Sequence, residues 1–243
     1  MRIKCTVAYD GSKFSGYQKQ DNERTVQGEI ERVLEIIHKY PVTIYSAGRT
    51  DAYVHAYGQV FHFDSNLNIR VYNWKKAINS LLPKDIYIRN VEVVNEDFHA
   101  RFSAKKKEYR YYISLGEYNP IRHQYVCFIN KKLDLDKIQK ALKLFEGTHD
   151  FSSFSSAQQH IDKDKVRTIY EAKLNINNDE LEFIFVGNGF LRYQVRIMMG
   201  TLIDIGLGKK DISVIPYLFE NYDRSKAKKT IEPQGLYLYN VEY

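Results

Sequence analysis

The sequence predicts an α+β fold with a mostly antiparallel sheet, and three observations carry that prediction. Several stretches alternate apolar and polar residues with a period of two, as half-buried strands do. Others repeat apolar residues at helical spacing between start and stop signals. The strands are short and are joined by both helices and hairpins. At 243 residues the chain makes one large domain or two small ones, with 44% apolar residues to build a core.

Taken in order, residues 2–9, RIKCTVAY, set Ile3, Cys5, Val7 and Tyr9 against Arg2, Lys4, Thr6 and Ala8, a strand with one buried face. A loop rich in Gly, Ser, Asp and Asn follows. Val26, Ile30, Val33, Leu34 and Ile37 then recur at helical spacing behind Thr25, a candidate N-cap. YPVTIYSAG and GQVFHF read as strands with a turn between them. Trp74, Ile78, Leu81 and Leu82 share a helical face over 72–82, which Pro83 ends. IYIRNVEVV is a strand.

The alternation of elements then recurs. KEYRYYISL is a strand. LDKIQKALKLFEG is a helix with Ile138, Ala141, Leu142 and Phe145 on one face and Gly147 at its stop. The polar stretch 149–166 reads as a long mobile loop. ELEFIFVG is a strand, YQVRIMMGTLIDIG an apolar helix closed by Gly206, and 211–222 a further helix. GLYLYNVEY is a last strand. Two halves of similar pattern meet near residue 96, with no Pro/Gly/Ser linker between them, so a continuous sheet is expected.

Composition narrows the function classes. Two cysteines, Cys5 and Cys127, cannot make a disulfide framework or a zinc ribbon. The amino-terminal stretch lacks an apolar signal region, and no apolar run approaches the roughly 18 residues of a membrane span. These features point to a soluble, cytoplasmic protein. The net charge of +6 is clustered, in AKKKEYR, NKK, GKK and RSKAKK. Such clusters attract polyanions, and 20 tyrosines and 13 phenylalanines supply rings that can stack on unpaired bases. Solvated lysine faces and ordinary core aromatics account for the same counts.

None of the seven histidines has the spacing that sets two imidazoles on one helical face, so no metal is expected. There is no phosphate-binding glycine loop ahead of a helix and no nucleophile elbow. SAGRTDAYVHAYGQVFHF, residues 46–63, remains. Asp51 follows Gly48, so a tight turn can present it at a strand end, with Arg49 two residues earlier. A carboxylate held ionised by an arginine can act as nucleophile or base. An Arg49–Asp51 pair that merely braces the loop is the simpler account from these residues alone.

The stretch AGRTDAYVHAYGQV resembles a motif of the tRNA pseudouridine synthase A family. AYDGSKFSGYQKQ (8–20), FHARFSAKKKEYRYYI (98–113), GTHDFSSF (147–154), GNGFLRYQVRIMMGTLIDIGLG (187–208) and GLYLYNVEY (235–243) are similar to further family motifs, in order and spacing. The resemblance implies a cofactor-free isomerisation of uridine to pseudouridine at positions 38–40 in the anticodon stem-loop of tRNA. It implies a homodimer with tRNA as partner, and neither a membrane nor a nucleotide cofactor. It implies two similar halves, here 1–95 and 96–243, acting as one catalytic unit. These halves would share a curved, mostly antiparallel central sheet flanked by helices, with a basic cleft between them: the pseudouridine synthase fold.

The resemblance also assigns roles. Asp51 stands at the essential aspartate, Tyr109 at the tyrosine that stacks on the target base, and Arg196 at the arginine that pairs with the aspartate. Arg49 stands at the arginine implicated in displacing the base, Leu236 at an apolar pocket residue, and His55 joins the substrate-binding set. Related readings are a synthase of the same fold acting on ribosomal RNA and a non-catalytic RNA-binding or RNA-folding protein. Three positions depart from the pattern. Tyr53 replaces a glycine two residues after the aspartate, Tyr17 replaces a tryptophan, and Glu108 stands where a basic residue is common. If position 53 has positive φ, tyrosine strains the turn.

Overall fold

The computed structural model describes residues 1–156, 164–227 and 230–243. Residues cluster into two units, Met1–Lys105 with Tyr237–Tyr243, and Lys106–Leu236. The architecture is α+β with mixed, mostly antiparallel strand pairing.

In the first unit, β1 (Arg2–Tyr9) pairs antiparallel with both β3 (His55–Asp64) and β4 (Ile86–Val94). β2 is only Tyr45–Ser46, antiparallel to β3. The expected strand over 40–48 is therefore mostly loop, because only its last residues reach a partner. β10 (Leu236–Glu242) joins β3 in parallel, with Tyr237 opposite His55. The alternation read in RIKCTVAY holds: Ile3, Cys5, Val7 and Tyr9 are buried.

Two helices cover this sheet. α1 (Val26–His38) begins where expected, with the Thr25 hydroxyl accepting from Gly28 N. α2 (Val71–Leu81) is followed by Leu82 as its C-cap, ahead of Pro83. Trp74 sits fully buried, edge-on to Phe63 at 5.5 Å and stacked on His38 at 5.4 Å.

In the second unit, β5 (Lys106–Ser114), β9 (Glu180–Gly187), β8 (Val166–Asn177) and β7 (Gly147–Asp150) pair antiparallel in that order. β6 (Cys127–Phe128) adds a short parallel pair to β5. α3 (Leu135–Lys143) packs on α4 (Gln194–Gly206), and α5 (Val214–Asn221) follows. At Gly206 any Cβ would lie 2.4 Å from Ile138 Cδ1, so glycine permits the close approach of α3 and α4. Gly147 does not close α3. It opens β7 with φ +104.

Residues 149–156 of the stretch read as a mobile loop include regular structure. His149 and Asp150 end β7, a 3-10 turn spans Ser152–Phe154, and Phe151 and Phe154 are buried. Its polar composition concealed two anchoring rings. Residues 157–163 of that stretch lie outside the described residues. Among the described residues no helix is long and apolar enough to cross a membrane.

Candidate active site

In the first unit two loops are fitted together. One is 10–17, DGSKFSGY, between β1 and α1, and the other is 47–54, between β2 and β3. Asp51 starts a four-residue turn in which Val54 N donates to Asp51 O at 3.2 Å. Tyr53, third in that turn, has φ 65, so the strain expected of tyrosine in place of glycine is present. Tyr53 N donates to Phe14 O at 3.4 Å, and Tyr17 N donates to Thr50 O at 3.1 Å. A Cβ at Gly11 would lie 2.1 Å from Val54 O, and one at Gly16 would lie 3.1 Å from Thr50 O. Gly11 is thus demanded by backbone approach and Gly16 by its φ of +100, and the turn is set against the neighbouring loop.

Side chains beneath the turn complete the support. Gln59, fully buried on β3, donates from Nε2 to Gly48 O at 2.9 Å, while Val60 N donates to its Oε1 at 3.1 Å. The Tyr9 hydroxyl and Thr50 Oγ1 share a hydrogen bond of 2.8 Å, both residues being buried. Burial raises the Tyr9 phenol well above its ordinary range, so it stays protonated. His55 accepts from Gly11 N through Nδ1 at 3.0 Å and lies 3.3 Å from Asp10 Oδ1. Its ring stacks on Tyr237 at 4.6 Å, and Tyr57 stacks on Tyr237 at 5.5 Å.

Asp51 is half-buried and Arg49 exposed. Arg49 makes no ion pair or hydrogen bond among the described residues, so the bracing Arg49–Asp51 pair does not form. Backbone contact and the buried Tyr9, Thr50 and Gln59 support this loop. Those three were not singled out from sequence. Each reads as an ordinary strand or loop residue, and the hydroxyl pair joins positions far apart in the chain.

The second unit carries the other candidates. Tyr109 is buried on β5 opposite Phe185 of β9, with its ring against Phe190 at 5.0 Å and an interplanar angle of 77°. Tyr111, on the same face, donates its hydroxyl to Glu232 O at 2.7 Å, and burial holds that phenol protonated. Arg196 is the third residue of α4. A cation there opposes the helix dipole, so helix stability gives no reason for it. Its Nε donates to Ile231 O at 2.9 Å, Ile231 N donates to Arg196 O at 3.2 Å, and its guanidinium lies 5.4 Å from the Tyr193 ring centre. Its charge also reaches the Tyr111 phenol. Leu236 is buried at the start of β10. It follows Gly235, where a Cβ would lie 2.7 Å from Tyr112 O. Glu108, the acidic departure, accepts from Arg110 Nε at 2.7 Å, and Arg110 also reaches Glu182 at 2.8 Å.

Arg49, Asp51 and His55 thus share one turn and the strand after it, while Tyr109, Arg196 and Leu236 are set by β5, α4 and β10. Among the described residues no group of three or more His, Cys, Asp or Glu side chains could hold a metal ion.

Comparison with known proteins follows the same motifs. A sequence model of the family described as tRNA pseudouridine synthase matches residues 6–103 and 141–243. A protein of Geobacillus sp. strain WCH70 named tRNA pseudouridine synthase A is 51% identical over 244 residues, covering all of this chain and 98% of that protein. Its namesake in Anoxybacillus flavithermus is 51% identical over 243 residues, again with 98% of that protein covered. That of Oceanobacillus iheyensis is 49% identical over 245 residues, with 96% covered. Matches that run through the fitted loops, β5, α4 and β10 alike leave one assignment: the chain belongs to the tRNA pseudouridine synthase family.

Proposed function

We propose that this chain isomerises uridine to pseudouridine in tRNA, at positions 38–40 of the anticodon stem-loop, without a cofactor, as a cytoplasmic homodimer. In this reading the bond from ribose C1′ to uracil N1 breaks, the uracil turns over, and C1′ bonds to C5. The C5 proton leaves and N1 gains one, so atoms balance and no water is consumed. The observation that carries the reading is Asp51, presented half-buried on a turn that two glycines and a buried Tyr–Thr pair hold in place, in a chain 51% identical along its whole length to a named synthase.

Each residue type suits its proposed role. A uridine inside a stem must be everted, at a cost of a few kcal/mol that a stacking ring and a cation can offset. Asp51 performs the chemistry, Arg196 keeps it ionised, and Tyr109 stacks on the base. Arg49 displaces the base and handles RNA, while His55 and Leu236 line the substrate site. The two halves act as one catalytic unit around a basic cleft.

The test is tritium release from C5-labelled uridine in tRNA by wild type and Asp51→Ala. The variant should release none while its RNA affinity stays within about tenfold, as expected of a group that serves chemistry more than binding. Equal activity would remove Asp51 from the mechanism. Tight RNA binding without release from any RNA would favour a binding or folding protein, and release from ribosomal RNA alone would reassign the substrate.

A further inference from the structure

We infer that the Tyr53 ring is a stacking platform for an unpaired RNA base beside the reacting uridine; the inference deepens the function proposed above and rests on it. Non-glycine residues with positive φ occur at Asn22, Lys39, Tyr53, Asn178, Tyr193 and Tyr222. Most have an evident reason. Asparagine tolerates the left-handed region, and Lys39 and Tyr222 follow the last residues of α1 and α5, where a left-handed residue commonly ends a helix. Tyr193 lies under Arg192 at 4.8 Å and Arg196 at 5.4 Å, and its hydroxyl accepts from Arg192 at 2.9 Å.

Tyr53 has no such reason. It caps no helix, and its ring makes no ring or cation contact among the described residues. Its hydroxyl makes no hydrogen bond there either, and the residue is 54% exposed. No ring, cation or hydroxyl contact among the described residues thus rewards an aromatic side chain at this position, while the positive φ carries backbone strain that glycine would relieve. The return lies outside the folded chain.

Its position indicates what the ring meets. Tyr53 is two residues after Asp51 on the same turn, and Arg49, exposed and unpaired, is two residues before. A cation and an open π-face on the turn that carries the reacting carboxylate match the two recognition features of a nucleotide, phosphate and base. The bonds from Tyr53 N to Phe14 O and from Val54 N to Asp51 O hold the platform before RNA arrives, so little ordering is left to binding. Tyr53 is thus a positioning and specificity residue, acting on the nucleotide that flanks the target.

Tyr53→Gly and Tyr53→Phe test it. Release kinetics are measured on C5-tritiated tRNA, and affinity for fluorescently labelled tRNA is measured in the Asp51→Ala background. Tyr53→Gly should raise KM and Kd about tenfold, the loss of one stacked base, with kcat within about threefold. The same variant should raise Tm by roughly 2–4 °C as the strain is relieved. Tyr53→Phe should keep wild-type KM, Kd and Tm. Unchanged KM and Kd in Tyr53→Gly, or a Tyr53→Phe protein as impaired as the glycine variant, would overturn the inference. If wild type releases no tritium yet binding still weakens in Tyr53→Gly, the isomerase reading fails and the platform stands.

Discussion

Cutting the Tyr9–Thr50 contact should loosen the Asp51 turn without touching any group proposed to meet RNA. The hydroxyls are 2.8 Å apart, and the residues are 4% and 7% exposed, so neither can turn to water. Thr50→Val keeps the shape and deletes the oxygen. It leaves the Tyr9 phenol with a contact from Gln59 alone. A buried hydroxyl deprived of one partner costs about 1–2 kcal/mol. Tyr9→Phe leaves the Thr50 oxygen in the same position and should cost about as much. The double variant removes both polar atoms together, so its loss should fall short of the sum by about 1 kcal/mol. The chain's one tryptophan, Trp74, is fully buried in the first unit, so its fluorescence during urea unfolding reports that unit. Each kcal/mol corresponds to roughly 2–4 °C in Tm for a chain of this size. Thr50→Val should also lower kcat severalfold at unchanged Kd for tRNA, because Thr50 adjoins Asp51. Strictly additive losses in the four-protein cycle would show that the pair does not hold the turn.

The remaining expectations concern glycine and pH. Gly11→Ala places a methyl against Val54 O at 2.1 Å, a backbone atom that cannot step aside. The variant should lose about 1–3 kcal/mol and most tritium release, and wild-type activity would show that the 47–54 loop is softer than described. His62 is buried, and desolvation first, then the neighbouring His99, push its imidazole down to about 4. Unfolded, it titrates near 6.5, so between those values the unfolded chain binds more protons and stability falls as pH drops. That loss should approach about 3 kcal/mol between pH 7 and 4, read as a falling urea midpoint of Trp74 fluorescence. His62→Asn retains an acceptor for Ala100 N, bonded at 3.2 Å, and should flatten the pH dependence. An unchanged slope in that variant would move the effect to other groups.

Periodicity located most elements because burial is periodic where one face is covered. IYIRNVEVV and ELEFIFVG coincide with β4 and β9 residue for residue. It failed where burial is not periodic. β6 and β7 are two and four residues long, too short to show a pattern. β8 is long, but exposed and half-buried residues interrupt its alternation, and its first residue continues the polar stretch before it. At the candidate site, motif resemblance is what singles out Asp51, and the glycine at position 53 in related motifs flags the positive φ found at Tyr53. The supports of the turn stayed hidden. Tyr9 and Thr50 meet across 41 positions, and the need for glycine at position 11 comes from a carbonyl at position 54. Such contacts leave no local signature.

The placement of β10 bears on biogenesis. Its residues from Tyr237 onward cluster with Met1–Lys105, and it pairs with β3 rather than with a chain neighbour. A ribosome emits this segment after every other strand described here. During synthesis the start of β3, His55–Ala56, therefore stands without its β10 partner, while β2 already covers Phe61–His62 and the intervening unit emerges. The first unit is begun early and sealed late, so in the interval its nascent form is the state most exposed to strand invasion and chaperone capture.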